Sequence, residues 1–309
     1  MTSPLARHLA EYLAMRRALG FKLERSGALM AQFVDYLDST GATVITVDAA
    51  LAWATQPAGA NRCWWSMRLA AARLFAQHMI NLDRATEVPS PDLLPSSHPR
   101  ATPFIYSSDD IAALMRAAAA STRVPLIAAT YATLIGLLAV TGMRVGEAID
   151  LDRDDVNLTE EVLVVRQGKF GKSRELVLHP STVTALRDYA ALRDQTWPWT
   201  RTRAWFISSS AARLNYTNVH YRFHRLIQTA GLVPHSLTCH PRIHDLRHTF
   251  AVTTLLGWHR SGVDVQARLP LLSTYLGHVD PGSTYWYLTA TPELMQTVAR
   301  RVDQAGQAW

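Results

Sequence analysis

Lysine is scarce in a chain that is nonetheless basic. Lys22, Lys169 and Lys172 are the only lysines among 31 basic residues, set against 25 acidic ones for a net charge of +6. Arginine therefore carries nearly all the positive charge, and two of the three lysines fall in one short stretch. Cysteine is scarcer still: Cys63 and Cys239 lie far apart and form no CxxC pattern. That excludes a disulfide framework and reads as a reduced, cytoplasmic chain. The amino terminus, MTSPLARHLAEYLAMRRALGF, has no long apolar run, because charge interrupts it every few residues. It does not read as a signal peptide. No internal repeat and no low-complexity tract is present. One stretch without charge does stand out, the 20 residues VPLIAATYATLIGLLAVTGM between Arg123 and Arg144. It is long enough to cross a bilayer. It also holds a proline, three threonines, a tyrosine and two glycines, and reads better as a fully buried core helix, with no membrane partner.

What is present suffices for folded cores: 309 residues, 48% of them hydrophobic, which predicts roughly two domains. The net positive charge permits an anionic partner such as nucleic acid without requiring one. It is spread evenly, with 9 basic and 6 acidic groups in residues 1–85 and 22 against 19 in the remainder. Local pattern must therefore decide.

Residues 1–85 predict a small bundle of four short helices. Leu5, Leu9 and Leu13 recur at i+4, as do Leu29, Phe33 and Leu37, the spacing of a helix face. Thr46 can cap TVDAALAWATQ, and CWWSMRLAAARLFAQHMINL forms the last helix. Arg68 and Arg73 on it are candidate DNA contacts. Residues 86–105 include Pro89, Pro91, Pro95, Pro99 and Pro103 and read as a linker. The second domain, 106–309, opens at SSDDIAALMRAA with Ser108 as the expected cap. It is mostly helical, with helices expected at 181–194, 217–230 and 243–258. EVLVVR (161–166) and RELVLH (174–179) alternate around a glycine-containing turn and predict an antiparallel hairpin. WFISS (205–209) is a candidate third strand. The fold class is thus mainly α with a small antiparallel sheet.

Three stretches can carry chemistry. In HDLRHTFA (244–251), His244, Arg247, His248 and Ala251 share one helical face, and Leu246 and Phe250 another. The bland reading is a solvated surface helix. His240, His244 and His248 also have a spacing like that of a zinc site, but aspartate stands where a zincin has its glutamate base, and arginine between the ligands would repel a dication. No metal is expected. In TGMRVGEAIDL (141–151), Gly142 can end the apolar helix as a left-handed cap, and a new helix starts near Arg144, a good place for an anion. The bland reading there is an Arg144–Glu147 pair at i, i+3. The hairpin turn RQGKFGKSR sets Arg166, Lys169, Lys172 and Arg174 together without an acid. It is either a solvated basic loop or a tip that reaches DNA and donates a proton.

These stretches, in the order TGMRVGE, basic hairpin, HDLRHTFA, then Leu276-Gly277-His278 followed by Tyr287, resemble the tyrosine recombinase (phage integrase) family. The resemblance covers about the last 180 residues. The helical amino-terminal part is similar, more weakly, to that family's core-binding domain. It implies catalytic roles for Arg144, Lys169, His244, Arg247, His278 and Tyr287, with Glu147 buttressing the site. Tyr285 and Tyr287 point about 200° apart on a helix, so one at most enters a given pocket, and family spacing selects Tyr287. A phenol with pKa near 10 needs cationic neighbours to react at neutral pH, and the arginines and histidines would supply them.

The resemblance implies that Tyr287 attacks the scissile phosphate to form a 3′-phosphotyrosyl bond, without ATP, metal or other cofactor. Arg144 and Arg247 would clamp the phosphate oxygens, and Lys169 would protonate the leaving 5′ oxygen. Lys172 replaces Lys169 if the hairpin register slips. His244 would assist proton transfer and His278 would hydrogen-bond the phosphate. Arg166, Lys172 and Arg174 join Arg68 and Arg73 as candidate DNA contacts. Partners would be double-stranded DNA bearing a recombination site, further copies of the chain in a tetramer on paired sites, and accessory DNA-bending proteins. The chain would be cytoplasmic and nucleoid-associated when bound to DNA. TPELMQTVARRVDQAGQAW would dock on a neighbouring subunit. The ending STYWYLTATPEL is similar to recombinases of mobile elements. Two alternatives are a type IB topoisomerase and a DNA-binding protein that has lost catalysis. The Pro281-Gly282 pair before the tyrosine departs from the family pattern and could reposition the nucleophile's helix. The DNA target sequence cannot be read from the chain.

Overall fold

The computed structural model describes residues 3–56, 58–94, 102–166, 173–236, 238–278, 282 and 284. The chain divides into two compact units, Met1–Arg100 and Ala101–Trp309.

The first unit is built from α1 (Pro4–Ala18), α2 (Glu24–Ser39), α3 (Val47–Thr55) and α4 (Arg62–Met79). Side-chain caps start three of them. Ser3 accepts from the Ala6 N–H, Thr46 from Ala49, and Asn61 from Cys63, each satisfying a donor that a helix leaves open. The predicted i+4 faces meet in one core of Leu5, Leu9, Phe33, Leu37, Trp53 and Phe75. The proline-rich stretch is not uniform. Glu87 is tied to this unit, its carboxylate accepting from the Val47 N–H at 2.8 Å and its own N–H donating to Ile45 O at 2.8 Å. Val88 and Leu94 pack on the same core, whereas Phe104 and Tyr106 are buried in the second unit.

In that unit, α5 (Ser108–Ala120) and α6 (Pro125–Thr141) lead to α7 (Val145–Asp150). Ser107, not Ser108, caps α5, through a box in which Asp110 answers back to the Ser107 N–H. The apolar stretch is α6, whose residues from Leu126 to Leu138 are largely buried. Among the described residues no helix is long and apolar enough to cross a membrane. Three antiparallel strands follow, β1 (Val156–Asn157), β2 (Val162–Val165) and β3 (Arg174–Val177), in the order β1-β2-β3. The pairs Leu163–Leu176 and Val165–Arg174 fix the register. The predicted hairpin is present, but the third strand is β1 and not residues 205–209. Of those residues only Ile207 makes a bridge, an isolated one with Arg213, and the neighbouring Ala204 makes another with Asp152. The reason is a turn: the Ser208 N–H bonds Ala212 O, so the segment folds on itself before a ladder can extend. Trp205, Phe206 and Ile207 are all buried, a run of core residues rather than an alternation.

The remaining helices are α8 (Pro180–Thr196), α9 (Tyr216–Thr229), α10 (Asp245–Arg260) and α11 (Val265–Leu276). The last was not anticipated, since Pro270 lies inside it and proline usually argues against a helix interior. The segment TPELMQTVARRVDQAGQAW, expected to dock on a neighbouring subunit, lies outside the described residues.

Candidate active site

Two helix ends are brought together by arginines. Helix α6 ends at Gly142 and α11 at Gly277, both left-handed, with φ of 62° and 68°. Glycine is required for more than its φ. A Cβ on Gly142 would lie 2.5 Å from the Phe250 ring, and one on Gly277 would lie 2.8 Å from Arg174 Nη1. The carbonyls at these ends carry the negative pole of each helix and attract cations. Arg247 of α10, only 2% exposed, donates from Nη1 to Gly142 O at 2.8 Å and from Nη2 to Leu276 O at 2.7 Å. Arg144 donates from Nη2 to Gly277 O at 3.1 Å. The two sequence motifs that hold these arginines thus converge on the Leu276-Gly277-His278 turn.

Glu147 is the carboxylate of this cluster. It accepts from the Arg144 N–H at 2.8 Å, from Arg144 Nη1 at 2.8 Å, and from Arg174 Nη2 and Nη1 at 2.7 and 3.2 Å. Burial pushes its pKa up, but the bonds from Arg174 and Arg144 outweigh it and hold the group below its ordinary value. The anion expected at the start of α7 is therefore met by the helix's own Glu147.

His244 directly precedes α10 and His248 lies one turn on, their rings edge to face with centroids 4.9 Å apart. His278 Nδ1 lies 2.7 Å from the hydroxyl of buried Thr284. Burial first, then neighbouring charges with Arg247 foremost, lowers the pKa of His244 and of His278 to about 4. Burial, His244 and Arg242 lower that of His248 to about 3. These shifts favour the neutral imidazole, able to take or relay a proton, and leave the cationic charge to the arginines, against the expectation that the histidines add to it. The helix face predicted for His244, Arg247 and His248 exists: Arg247 is buried, His248 is partly buried and His244 is exposed.

Beneath the motif, the Asp245 carboxylate is fully buried and binds the Arg242 N–H, Nε and Nη2 at 3.0, 3.0 and 2.8 Å. This fixes the start of α10. Among the described residues no group of three or more His, Cys, Asp or Glu is placed to hold a metal ion. Lys169, Lys172, Tyr285 and Tyr287 lie outside the described residues.

The candidate DNA contacts fare unevenly. Arg68 is 7% exposed, donates from Nη2 to Trp53 O at 2.7 Å and lies 3.9 Å over the Trp53 ring. It is a core residue of the first unit, because the apolar face of α4 carries it inward, and it is not a DNA contact. Arg73 is half-buried. Arg166 pairs with Asp155 while its side chain stays 61% exposed. Arg174 is turned inward against Glu147, its side chain 12% exposed. Sequence reading placed it in the basic turn as a candidate DNA contact; its ladder pairing with Val165 sets it on the buried face of the hairpin.

Residues 106–293 match the phage integrase family. An integrase/recombinase, by its name, from Sinorhizobium fredii is 40% identical over 299 residues, covering 95% of both chains. Among solved structures, the Tn1549 transposon integrase in complex with transposon right end DNA superposes with a TM-score of 0.64 at 15% identity, covering 98% of this chain and 100% of that one. A lambda integrase from a tetramer bound to a Holliday junction gives 0.59 at 16% identity, covering 92% and 76%. At such identity these two likenesses speak for the fold, while the family match and the close relative carry the assignment. The chain belongs to the phage integrase family and is an enzyme of the tyrosine recombinase type.

Proposed function

We propose that the chain is a site-specific DNA recombinase acting through Tyr287. The observation that carries this reading is the convergence of Arg144 and Arg247 on one turn, next to His244 and His278. Gathering guanidinium groups in a buried cluster costs stability unless an anion is to be met there, and their planar forks suit phosphate oxygens. The Tyr287 phenol oxygen attacks the scissile phosphorus and its proton passes to neutral His244. Arg144 and Arg247 stabilise the charge on the non-bridging oxygens, and His278 hydrogen-bonds one of them. Lys169 gives a proton to the departing 5′ oxygen, leaving a 3′-phosphotyrosyl bond and a free 5′-hydroxyl. The phosphodiester energy is kept in that bond, so strand exchange through a Holliday junction needs no ATP. Four copies on two paired DNA sites perform it, and the segment 291–309 links neighbours. The similarity of the ending STYWYLTATPEL to recombinases of mobile elements supports a role on such an element.

Nicked suicide duplexes tiled from the DNA flanking the gene test the reading, with EDTA present. An SDS-stable protein–DNA adduct is expected with wild type and Tyr285→Phe and not with Tyr287→Phe. Loss with Tyr285→Phe alone would move the nucleophile. Specific binding with no adduct on any duplex would favour a DNA-binding protein without catalysis.

A further inference from the structure

Arg174 has no role in the mechanism above, yet it is built into the site. It opens β3, directly after the basic hairpin turn, and pairs across the ladder with Val165. Directly opposed residues share a face, and on this face Leu163, Val165 and Leu176 are buried. The guanidinium is thereby directed inward. It meets both carboxylate oxygens of Glu147, at 2.7 and 3.2 Å. The same two oxygens receive the Arg144 N–H and Nη1. On its other side Gly277 is so close that a Cβ would stand 2.8 Å from Nη1. One carboxylate is thus divided between two guanidinium groups, and the second is locked in place by the turn that also receives Arg144.

We infer that Arg174 is a positioning residue for strand cleavage, which holds and offsets Glu147 so that Arg144 keeps its orientation and net positive charge toward the phosphate. This rests on the reading of Arg144 as a phosphate clamp. Two arginines and one glutamate leave one positive charge; Arg144 and Glu147 alone would leave none. With Arg174 gone, the Glu147 charge would fall wholly on Arg144 in a buried setting, where such a pair is hard to break. The strand that follows the hairpin would at the same time lose its tie to the arginine clamp.

Single-turnover adduct formation and DNA binding, measured on Arg174→Met, Arg174→Lys and Arg174→Met/Glu147→Gln, test this. Arg174→Met is expected to cleave about 100-fold more slowly, the scale of a small misplacement of a reacting group, with DNA affinity unchanged. Arg174→Lys should stay close to Arg174→Met, because an ammonium lacks the paired fork. Adding Glu147→Gln should recover at least about tenfold of the Arg174→Met loss, since it removes the charge that Arg174 no longer offsets. Wild-type cleavage by Arg174→Met would overturn the inference. So would loss of DNA affinity in step with cleavage, which would make Arg174 a DNA contact. Absence of any recovery in the double variant would reduce Arg174 to a packing role. If wild type itself forms no adduct on any duplex, the phosphate-clamp reading falls and the positioning role with it. A non-additive cycle of melting temperatures at 174 and 147 would then retain only the ion pair.

Discussion

Of the buried arginines, Arg68 in the first unit and Arg247 in the second differ in what surrounds them. Arg68 of the first unit is 7% exposed and Arg247 of the second 2%. Both give hydrogen bonds to backbone carbonyls. Arg68 lies on the Trp53 ring among apolar side chains, and burial alone lowers its pKa. Arg247 lies where the pKa values of His244 and His278 are also depressed by Arg144. A lone buried arginine that finishes the bonding of a carbonyl serves packing. Like charges gathered together work against packing, and where they exceed the Glu147 carboxylate they leave positive charge for a further anion. Burial by itself therefore separates nothing here; the company of the buried charge does.

The comparison breaks most sharply at Arg247. Arg247→Lys is expected to slow adduct formation by about 10³-fold, as loss of a preorganised donor at the reacting centre does. Arg68→Met should leave the cleavage rate of the folded protein unchanged. A cleavage defect in Arg68→Met that exceeds its loss of folded protein would mean that the two arginines are not of different kinds. In stability the effect falls on the first unit. Arg68→Met leaves Trp53 O without its donor and should cost about 1–3 kcal/mol in denaturant unfolding.

The smallest effect sharpens the same contrast through pH. His244, His248 and His278 bind their protons less readily in the folded chain, near pH 4, 3 and 4, than at their ordinary value of 6.5. Between these values the unfolded chain holds more protons, so their neutral burial adds stability that is complete above about pH 6.5 and is lost as pH falls toward 4. The melting temperature of the second unit should drop over that range, and replacing His248 with Gln should flatten the drop. An unchanged slope in that variant would show that the cluster does not set the acid response.

Much of this was readable from the chain. Gly142 declared itself as a helix end, and the i+4 faces of α1 and α2 gave the first core. The order of arginine motif, hairpin, HDLRHTFA and LGH was enough to identify the family. The errors share one cause. Arg68, Arg174 and the segment 205–209 were assigned from residue type: arginine as a candidate DNA contact, a short apolar stretch as strand. Arg68 was carried inward by the apolar face of α4, and Arg174 by the ladder that pairs it with Val165. Residues 205–209 were stopped from pairing by the turn at Ser208. Helix α11 was missed because Pro270 argues against it locally, while Leu269, Leu272 and Leu276 pack on α10 residues such as Val252 and Leu255 and outweigh it.

The sequence by itself determined which residues could do chemistry and in what order they stand, because residue type and local spacing are one-dimensional facts. Only the tertiary structure decided the charge of the site. The neutral forms of His244 and His278 are favoured by desolvation and by the neighbouring Arg247 and Arg144, and Glu147 is held anionic by Arg174, 27 residues away in the chain. Desolvation and charge proximity act through space, and no local pattern along the chain records them.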